Sequence, residues 1–527
     1  MSEPEIPTPL VQVQVRAQPA PSVPEVVLLS QGAADGPPIL GPGAEALGVD
    51  EKWLTRHLPR GATAGTATPV PLTTGQPDTE PDHGWLLGIG RGNPRHWRTA
   101  GAALVRAANA RAADQTAAGG SSLSTVQVHL PPNTTTDDAA SLALGCVAGS
   151  HRYRLTTGDP PPRLDTVWLV AEAGHVPEPL AEAVARAQVL GQATGLARDL
   201  ANTPSSRKDP AWLAGTAAEL AAPVPGLHAT VRDEGWLAER GFGGVLAVGG
   251  GSVRPPRLLE LVWQPADGNA DIHLVLVGKG VTFDTGGISI KPADGMHWMR
   301  TDMSGGAAVI AALLAIAQLQ VPVRVSGLVP CAENHVSGSA FRPGDMVRHV
   351  NGTTTEVTNT DAEGRMVLAD ALAYAVATLH PTTLVDVATL TGAMKVSLGL
   401  RTGGLFATEP DLAERIRSAG DAVGEQWWPM PLIADHAADV RSEIADLRQC
   451  PPGPGGITAA LFLREFTGGL DWAHLDIAGP ARAEQSYDEV NPGGTGFAAR
   501  TLIELACSFV HQPRHAVGRS VRRDGSP

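Results

Sequence analysis

The sequence predicts an α/β protein with a smaller N-terminal α/β domain and a larger C-terminal α/β domain built on a central mixed, largely parallel sheet flanked by helices. Short apolar runs alternate with Ala-rich helical segments along most of the 527 residues, a length that favours more than one domain. In the C-terminal part the runs are almost continuously apolar, as in parallel strands buried on both faces. Proline clusters at 160–162 and 177–179 interrupt the pattern and predict the linker between the domains.

The N-terminal domain is predicted to cover residues 25–178. Residues 1–24 before it are Pro-rich and aperiodic, so we expect a flexible tail there. Strands are predicted at 25–30, 85–89, 125–130 and 167–171, with helices at 100–113 and 138–148. Gly88, Gly90 and Gly92 resemble part of a dinucleotide-binding fingerprint, but their spacing and the turn that follows argue against nucleotide binding.

The C-terminal domain is predicted to cover residues 179–511 and to begin with a long helix at 180–200. Strands are predicted at 274–277, 323–329, 383–387 and 472–477, and two helices that are apolar almost all round at 307–319 and 366–379. Chemically active side chains directly follow these strands, where open α/β sheets bind ligands: Lys279, Asp284, Glu333 and Thr389. We expect residues 512–527 to form a basic flexible tail, with partner binding as the alternative.

The composition and charge of the chain argue against several classes of protein. The formal net charge of −14 argues against broad nucleic-acid binding. Apolar runs stay shorter than the ~18 residues of a membrane span, so no membrane association is expected. The first residues lack the features of a signal peptide, and Cys146, Cys331, Cys450 and Cys507 show no metal or redox spacing. We therefore expect a reducing, cytoplasmic setting.

One short stretch carries an unusual density of charge. Residues 359–366 read Asn-Thr-Asp-Ala-Glu-Gly-Arg-Met, which places Asp361, Glu363 and Arg365 within a few positions. If these groups are buried they need partners, because an unpaired buried charge costs several kcal/mol. A bound metal ion is one such partner.

A second stretch, residues 275–308, supplies further candidate ligands. Asp284 and Asp302 raise the number of motif carboxylates to four, enough to neutralise and bridge two divalent cations. Lysine is rare in this chain: of 40 Lys and Arg residues only Lys52, Lys208, Lys279, Lys291 and Lys395 are lysine. Unlike arginine, lysine can lose its proton and become a nitrogen ligand, although chance placement remains an alternative.

Together the two stretches resemble the signature of the leucyl aminopeptidase family, cytosolic two-metal exopeptidases. The segments 198–204, 332–334, 342–345 and 458–463 add to the resemblance. It implies that one tightly held metal is bound by Lys279, Asp284, Asp302 and Glu363. It also implies a more exchangeable metal on Asp284, Asp361 and Glu363, with the Asp361 carbonyl assisting. Two divalent ions are expected, Mn²⁺ or Zn²⁺ with Mg²⁺ possible, since oxygen and amine donors suit all three.

The resemblance also implies roles for the charged residues that are not ligands. Lys291 would stabilise the oxyanion formed when a metal-bridged hydroxide attacks the peptide carbonyl. Arg365 would hold a bicarbonate as general base, since a guanidinium binds a planar anion through two hydrogen bonds. The positions implied to bind substrate are Met299, Thr389, Leu390 and Gly392.

The function implied is hydrolysis of N-terminal amino acids, leucine and other mainly hydrophobic residues, from peptides with a free N-terminus. The resemblance further implies a homohexamer. Two alternatives on the same scaffold are a DNA-binding or regulatory protein and a catalytically silent oligomeric scaffold. Gly494 departs from relatives at a position expected beside the substrate side chain, which leaves the side-chain preference open. His297, His335 and His474 lack HExxH spacing, no Gly-x-Ser-x-Gly motif occurs, and His474 is expected in the core.

Overall fold

The computed structural model describes residues 6–32, 37–58, 62–72, 83–117, 119, 123–171, 175–267 and 269–510. In the N-terminal domain the strands are β1 (Gln12–Arg16), β2 (Glu25–Ser30), β3 (Ile39–Leu40), β4 (Ala67–Pro71), β5 (His83–Gly90), β6 (Thr125–His129) and β7 (Thr166–Val170). The helices are α1 (Glu51–His57), α2 (Pro94–Ala117) and α3 (Thr136–Ser150). All predicted strands and helices of this domain coincide with these elements, although the strands predicted at 125–130 and 167–171 end one residue later than β6 and β7.

The N-terminal strands form one seven-stranded sheet. Its order is β1-β7-β6-β2-β5-β4, with β3 pairing beside β2. The neighbours from β1 to β5 run parallel, and only β3 and β4 are antiparallel to their partners. α2 and α3 bury alanine and glycine faces against each other, so the two helices pack closely.

The prediction of a flexible tail over residues 1–24 is wrong for the described part of that segment. Residues 11–16 read Val-Gln-Val-Gln-Val-Arg, an alternation that suits an edge strand, and β1 pairs with β7. Val11 and Val13 are buried, and Thr8 donates hydrogen bonds from its N–H and its hydroxyl to the Asp199 carboxylate. Prolines around the strand concealed this signal. Residues 1–5 and the predicted basic tail lie outside the described residues.

The C-terminal domain contains the remaining elements. Its strands are β8 (Leu227–Arg232), β9 (Arg257–Trp263), β10 (Asn269–Gly278), β11 (Gly280–Asp284), β12 (Val323–Asn334), β13 (Met346–Arg348), β14 (Thr354–Glu356), β15 (Thr383–Ala388), β16 (Thr402–Ala407), β17 (Gln426–Met430), β18 (Leu447–Arg448), β19 (Asp471–Asp476), β20 (Arg482–Ala483) and β21 (Gly493–Gly494). Its helices are α4 (Glu178–Asn202), α5 (Pro210–Ala221), α6 (Glu234–Glu239), α7 (Gly243–Gly249), α8 (Ser304–Gln318), α9 (Glu363–Tyr374), α10 (Gly392–Leu398), α11 (Pro410–Val423), α12 (Gly455–Arg464) and α13 (Ala499–Ser508).

A nine-stranded mixed sheet organises this domain, in the order β17-β16-β19-β15-β10-β12-β9-β8 with β11 beside β12. The central strands β19, β15, β10 and β12 are parallel, whereas β8, β9 and the β16–β19 pair are antiparallel. The predicted fold class is therefore confirmed. The carboxyl ends of β10, β11, β15 and β19 lie at one edge, which is where the loops after these strands meet.

The two predicted apolar helices are buried against this sheet. Nearly every residue of α8 is inaccessible, and α9 is buried along its whole length before a wider π turn at Ala375–Leu379. The stretch Met296–Gln318 is long and apolar enough to cross a membrane by length and composition, but 89% of its apolar window is buried inside the protein. It is accounted for as a core segment.

A buried arginine joins the two domains. Arg198 of α4 donates to the carbonyl oxygens of Ala148 at 2.5 Å, Thr495 at 2.8 Å and Glu489 at 3.2 Å. Ala148 belongs to α3, whereas the other two lie in the segment that follows β19. One side chain thus bonds the N-terminal domain to the chain around the carboxyl edge of the larger sheet. The boundary between residues 178 and 179 stays a prediction, with α4 starting inside the second proline cluster.

A second buried cation, Lys208, connects the end of α4 to the turn that precedes α8. The ammonium of Lys208 donates to three carbonyl oxygens, those of Leu200 at 2.8 Å, Ala201 at 3.0 Å and Arg300 at 2.6 Å. Two of these carbonyls end α4, and the third belongs to the 3-10 turn Met296–Thr301. Burial, followed by repulsion from Arg300, lowers the pKa of Lys208 well below its ordinary value.

We expect Lys208→Met to destabilise the fold by about 3 kcal/mol, because it leaves three buried carbonyl oxygens without donors. The measurement is the urea midpoint of unfolding followed by circular dichroism. Lys52→Met is the matched control, since Lys52 is exposed on α1 and its loss should leave the midpoint nearly unchanged. Equal midpoints for the two variants would contradict this role of Lys208.

Candidate metal centre

Three carboxylates converge at the carboxyl edge of the larger sheet. Oxygens of Asp284, Asp361 and Glu363 lie within 4.8 Å of one another. Asp284 ends β11, Asp361 lies in the loop before α9, and Glu363 is the first residue of that helix. Asp302 joins them from the residue after the 3-10 turn that precedes α8. The four predicted carboxylates are therefore brought together from three separate parts of the chain.

The turn after Asp284 depends on two glycines. Gly286 and Gly287 have φ of 85° and 62°, a region that favours glycine. A side chain at either position would also collide: a Cβ on Gly286 would lie 2.8 Å from Asp361 Oδ1. The turn lets the Gly286 N–H donate to Asp284 Oδ1 at 2.8 Å, and Asn334 Nδ2 donates to the same oxygen at 2.8 Å. These bonds orient the Asp284 carboxylate.

Each of two lysines contacts a different pair of the four carboxylates. Lys279 Nζ lies 2.8 Å from Asp302 Oδ2 and 2.7 Å from Glu363 Oε1. Lys291 Nζ lies 2.7 Å from Asp284 Oδ2 and also contacts Asp361 Oδ1. Lys279 reaches its position because residue 364 is glycine: a Cβ there would lie 2.7 Å from Lys279 Cε. The lysines therefore occupy different sides of the carboxylate cluster.

The pKa values of the lysines and carboxylates in this cluster are shifted because many charged groups are buried close together. Burial opposes a charge on Lys279, but the Asp302 and Glu363 carboxylates outweigh it, so the pKa of Lys279 lies above its ordinary value. The pKa of Lys291 is raised for the same reason, chiefly by Asp284. Burial raises the pKa of Asp302 to about 6 despite the Lys279 ammonium. Burial and repulsion from Glu363 raise the pKa of Asp284 well above its ordinary range.

The carboxylate oxygens and the amine of this cluster are suitable ligands for divalent cations. Glu363 is 1% exposed, and its Oε2 has no hydrogen-bond partner among the residues that the structure describes. A buried carboxylate oxygen without a donor is costly, and a cation supplies the missing interaction. Two lysine ammonium groups face four carboxylates here, so added positive charge is favoured. Carboxylate oxygens with one amine suit Mn²⁺, Zn²⁺ or Mg²⁺.

Arg365 lies two residues further along α9 than Glu363 and is buried. Its Nη1 donates to the Gln449 carbonyl at 2.7 Å, and Gln449 Nε2 donates in turn to the Ala362 carbonyl at 3.0 Å. The Nε–H has no partner within the described part of the chain. Burial lowers the pKa of Arg365, yet a guanidinium keeps its proton in proteins. The side chain therefore retains a charged donor for an anion.

All of the predicted site residues line a single cavity of about 260 Å³. Thr389 links the substrate side to the ligands, since its hydroxyl donates to Asp302 Oδ1 at 2.7 Å and its carbonyl accepts from Lys279 Nζ at 3.1 Å. The Leu390 N–H donates to Asp476 Oδ1 at 3.2 Å, which fixes the backbone at the end of β15. The segment 389–392 thus forms one wall of the cavity.

Sequence reasoning missed part of the lining. The additional residues are Thr301, Ala362, Gly364, Lys395, Ala478, Ala481 and Arg482. Lys395 is one of the few lysines of the chain, and 478–482 directly follow the end of β19. Both signals were present in the sequence. Glu333, expected at the same edge, does not line the cavity and instead pairs with Arg254 at 3.2 Å.

The expectation that Gly494 lies beside the substrate side chain is wrong. Gly494 does not line the cavity; it pairs with Arg482 in the β20–β21 ladder. A Cβ at this position would lie 2.6 Å from the Cβ of Ala201 in α4, so packing against that helix accounts for the glycine. The histidine prediction is confirmed: His474 is buried, and its Nδ1 lies 2.6 Å from Asp386 Oδ1.

The chain is similar in sequence and in structure to known proteins. The model of the cytosol aminopeptidase family, catalytic domain, matches residues 195–503. A probable cytosol aminopeptidase of Desulfovibrio desulfuricans is 50% identical over 343 residues, 64% of this chain and 68% of that protein. One from Roseiflexus castenholzii is 45% identical over 372 residues, 69% of this chain and 75% of that protein. The solved structure of the bottromycin maturation enzyme BotP in complex with Mn is similar, with TM-score 0.79 and 38% identity, covering 93% of this chain and 100% of that one.

Proposed function

Because the chain belongs to the cytosol aminopeptidase family, we propose that it removes N-terminal amino acids from peptides, leucine and other mainly hydrophobic residues among them. The family supports a metal-dependent aminopeptidase. The observation that carries the proposal is the buried cluster of four carboxylates and two lysines on one cavity. Such a cluster is a poor structural device, since its like charges crowd one another, but it suits the binding of two cations.

We assign the ligands of two cation sites as the family resemblance implies, on side chains that line one cavity. Lys279, Asp284, Asp302 and Glu363 would hold the first ion, and Asp284, Asp361 and Glu363 the second. When bound, the ions supply Lewis acidity and an activated water for hydrolysis. Mn²⁺ is the first choice to test because BotP, similar over most of this chain, was solved in complex with Mn.

Lys279 must lose its proton before it can donate its lone pair. The neighbouring carboxylates favour its charged form, so cation binding competes with a proton that is held more firmly than in a free lysine. Occupancy of the first site should therefore increase as the pH rises. Lys291 has no such requirement and stays charged.

We assign Lys291 to stabilising negative charge on the carbonyl oxygen of the scissile peptide bond as that bond is attacked. Its ammonium lines the cavity and is held beside Asp284 and Asp361. A positioned cation stabilises charge as it develops in the transition state. Arg365 would hold a bicarbonate ion, through the guanidinium face that Gln449 leaves unoccupied, and this anion would act as general base.

The walls of the cavity suit an apolar side chain at the substrate N-terminus. Met299, Leu390, Ala478 and Ala481 contribute apolar surface. Met299 and the backbone of Thr389, Leu390 and Gly392 are assigned to substrate binding. The relatives are named probable cytosol aminopeptidases, which supports a cytoplasmic location for this chain. We also propose a homohexamer, which rests on the resemblance of the sequence motifs alone. A monomeric mass in solution with full activity would contradict the hexamer.

The test is hydrolysis of leucine amide by the purified protein with Mn²⁺, with Zn²⁺ and after removal of metal by a chelator. We expect turnover that the chelator abolishes and that added metal restores. N-acetyl-leucine amide is the matched control substrate, because its blocked amine should prevent turnover. Activity that survives complete metal removal, or equal rates on the blocked substrate, would refute the proposal.

A further inference from the structure

Besides Arg365, two further cations line the cavity without belonging to the carboxylate cluster. Arg482 begins β20, directly after Ala481, and Lys395 lies in the last turn of α10. The cluster carboxylates already face Lys279 and Lys291. Neither Arg482 nor Lys395 has a carboxylate within ion-pair distance in the described part of the chain.

The position of Arg482 is fixed by its backbone. Arg482 pairs with Gly494 in the short β20–β21 ladder, and the next-door Ala481 donates its N–H to the Ile477 carbonyl and accepts from the Thr495 N–H at 3.0 Å each. Its guanidinium is half-buried, with Cζ 5.8 Å from the centre of the Trp298 ring. Burial lowers the pKa of Arg482, and attraction to Asp302 opposes that change, so the guanidinium lies within electrostatic reach of the cluster.

The charge of this arrangement favours an anion. Five cations line the cavity against four carboxylates, and two bound divalent ions would make its net charge strongly positive. Small side chains at Ala478 and Ala481 leave space beside Arg482. A guanidinium there disfavours further cations and binds a carboxylate through parallel N–H donors.

We propose that Arg482, assisted by Lys395, binds a carboxylate of the substrate, so that the cavity favours peptides that carry one close to the scissile bond. This inference rests on the proposed aminopeptidase function and specifies its substrates. The carboxylate has two possible sources, the side chain of an N-terminal Asp or Glu and the C-terminus of a dipeptide. Apolar N-terminal residues remain compatible with the second source.

The experiment compares isosteric substrate pairs in wild type and Arg482→Gln, both loaded with Mn²⁺. Glutamyl against glutaminyl 4-nitroanilide tests the side-chain source, and Leu-Gly against Leu-Gly amide tests the C-terminal source. For one of the pairs we expect the ratio of kcat/KM, acid over amide, to fall about ten- to hundredfold in the variant, the usual loss for a hydrogen bond to a charged group. Arg482→Lys should retain part of the preference, because it keeps the charge.

Arg300→Gln is the matched control. Arg300 stacks on the same Trp298 ring, with Cζ 4.9 Å from its centre, but does not line the cavity, so both ratios should stay at the wild-type values. If Arg482→Gln does not fold, the test uses wild type alone, at low and at high salt. A preference for the acid over the amide substrate that depends on an ion pair weakens as the salt concentration rises. A preference that is absent, or that salt does not change, overturns the inference.

The outcomes separate this inference from the proposed function. Turnover of leucine amide together with ratios that Arg482→Gln leaves unchanged would overturn the carboxylate site alone. If wild type with Mn²⁺ hydrolyses none of these substrates, the aminopeptidase proposal fails and the carboxylate site fails with it.

Discussion

Glu363→Gln should abolish turnover and empty both cation sites while the fold survives. Glu363 Oε1 contacts Lys279, and its Oε2 is the buried oxygen without a hydrogen-bond partner among the described residues. The amide has nearly the same shape but no charge to neutralise a cation, and its NH₂ group would point a donor at it. We expect a loss of more than ~10³-fold in kcat, beyond that for one transition-state donor.

The measurements are metal content after dialysis against Mn²⁺, turnover of leucine amide, and circular dichroism. Asp361→Asn, which affects only the second site, should lose less metal than Glu363→Gln. Glu333→Gln is the matched control, because Glu333 is buried at the same sheet edge but pairs with Arg254 outside the cavity. Two metals per chain and near-normal turnover in Glu363→Gln would show that this residue is not a shared ligand.

The ligand set was predictable from sequence because it lies in two short segments, and Lys279 and Asp284 in the first of them stand at the ends of β10 and β11. Strand ends meet at one edge of a parallel sheet, so neighbours in the sequence pattern become neighbours in space. The rarity of lysine was also informative. Lys208, Lys279 and Lys291 are buried or half-buried and form hydrogen bonds or ion pairs. Lys395 lines the cavity, and Lys52 is the one lysine that lies exposed away from the cavity.

Several of the residues that sequence reasoning missed reach the cavity through tertiary packing and lie outside both motif stretches. Ala478 and Ala481 matter by being small, and Arg482 by lying opposite groups that are distant in the chain. Gly494 was misplaced for the same reason, because its contact with Ala201 of α4 depends on tertiary packing. The alternation of valines at 11, 13 and 15 indicates β1, whereas the proline content of residues 1–24 taken alone predicts a tail.

Lys→Arg substitution should fail differently at the two cluster lysines, because only one of them has to give up its proton. At position 279 a guanidinium stays charged, so it would repel the first cation instead of binding it. Space is also short: the side chain of Lys279 is 3% exposed and passes against Gly364, whereas that of Lys291 is 20% exposed. We expect Lys279→Arg to lose the first metal, and with it turnover, at every pH at which the protein is folded.

Lys291→Arg should keep both metals and lose turnover. The charge beside Asp284 and Asp361 is retained, but the reach and shape of the donor change, and loss of one transition-state donor costs roughly 10²–10³ in rate. Metal analysis and turnover of leucine amide at saturating Mn²⁺ test both variants, with Lys52→Arg as the control on an exposed helix. A full metal complement in Lys279→Arg would show that the amine is not a ligand. Equal metal loss in the two variants would refute the division of roles, even if the protein is an aminopeptidase.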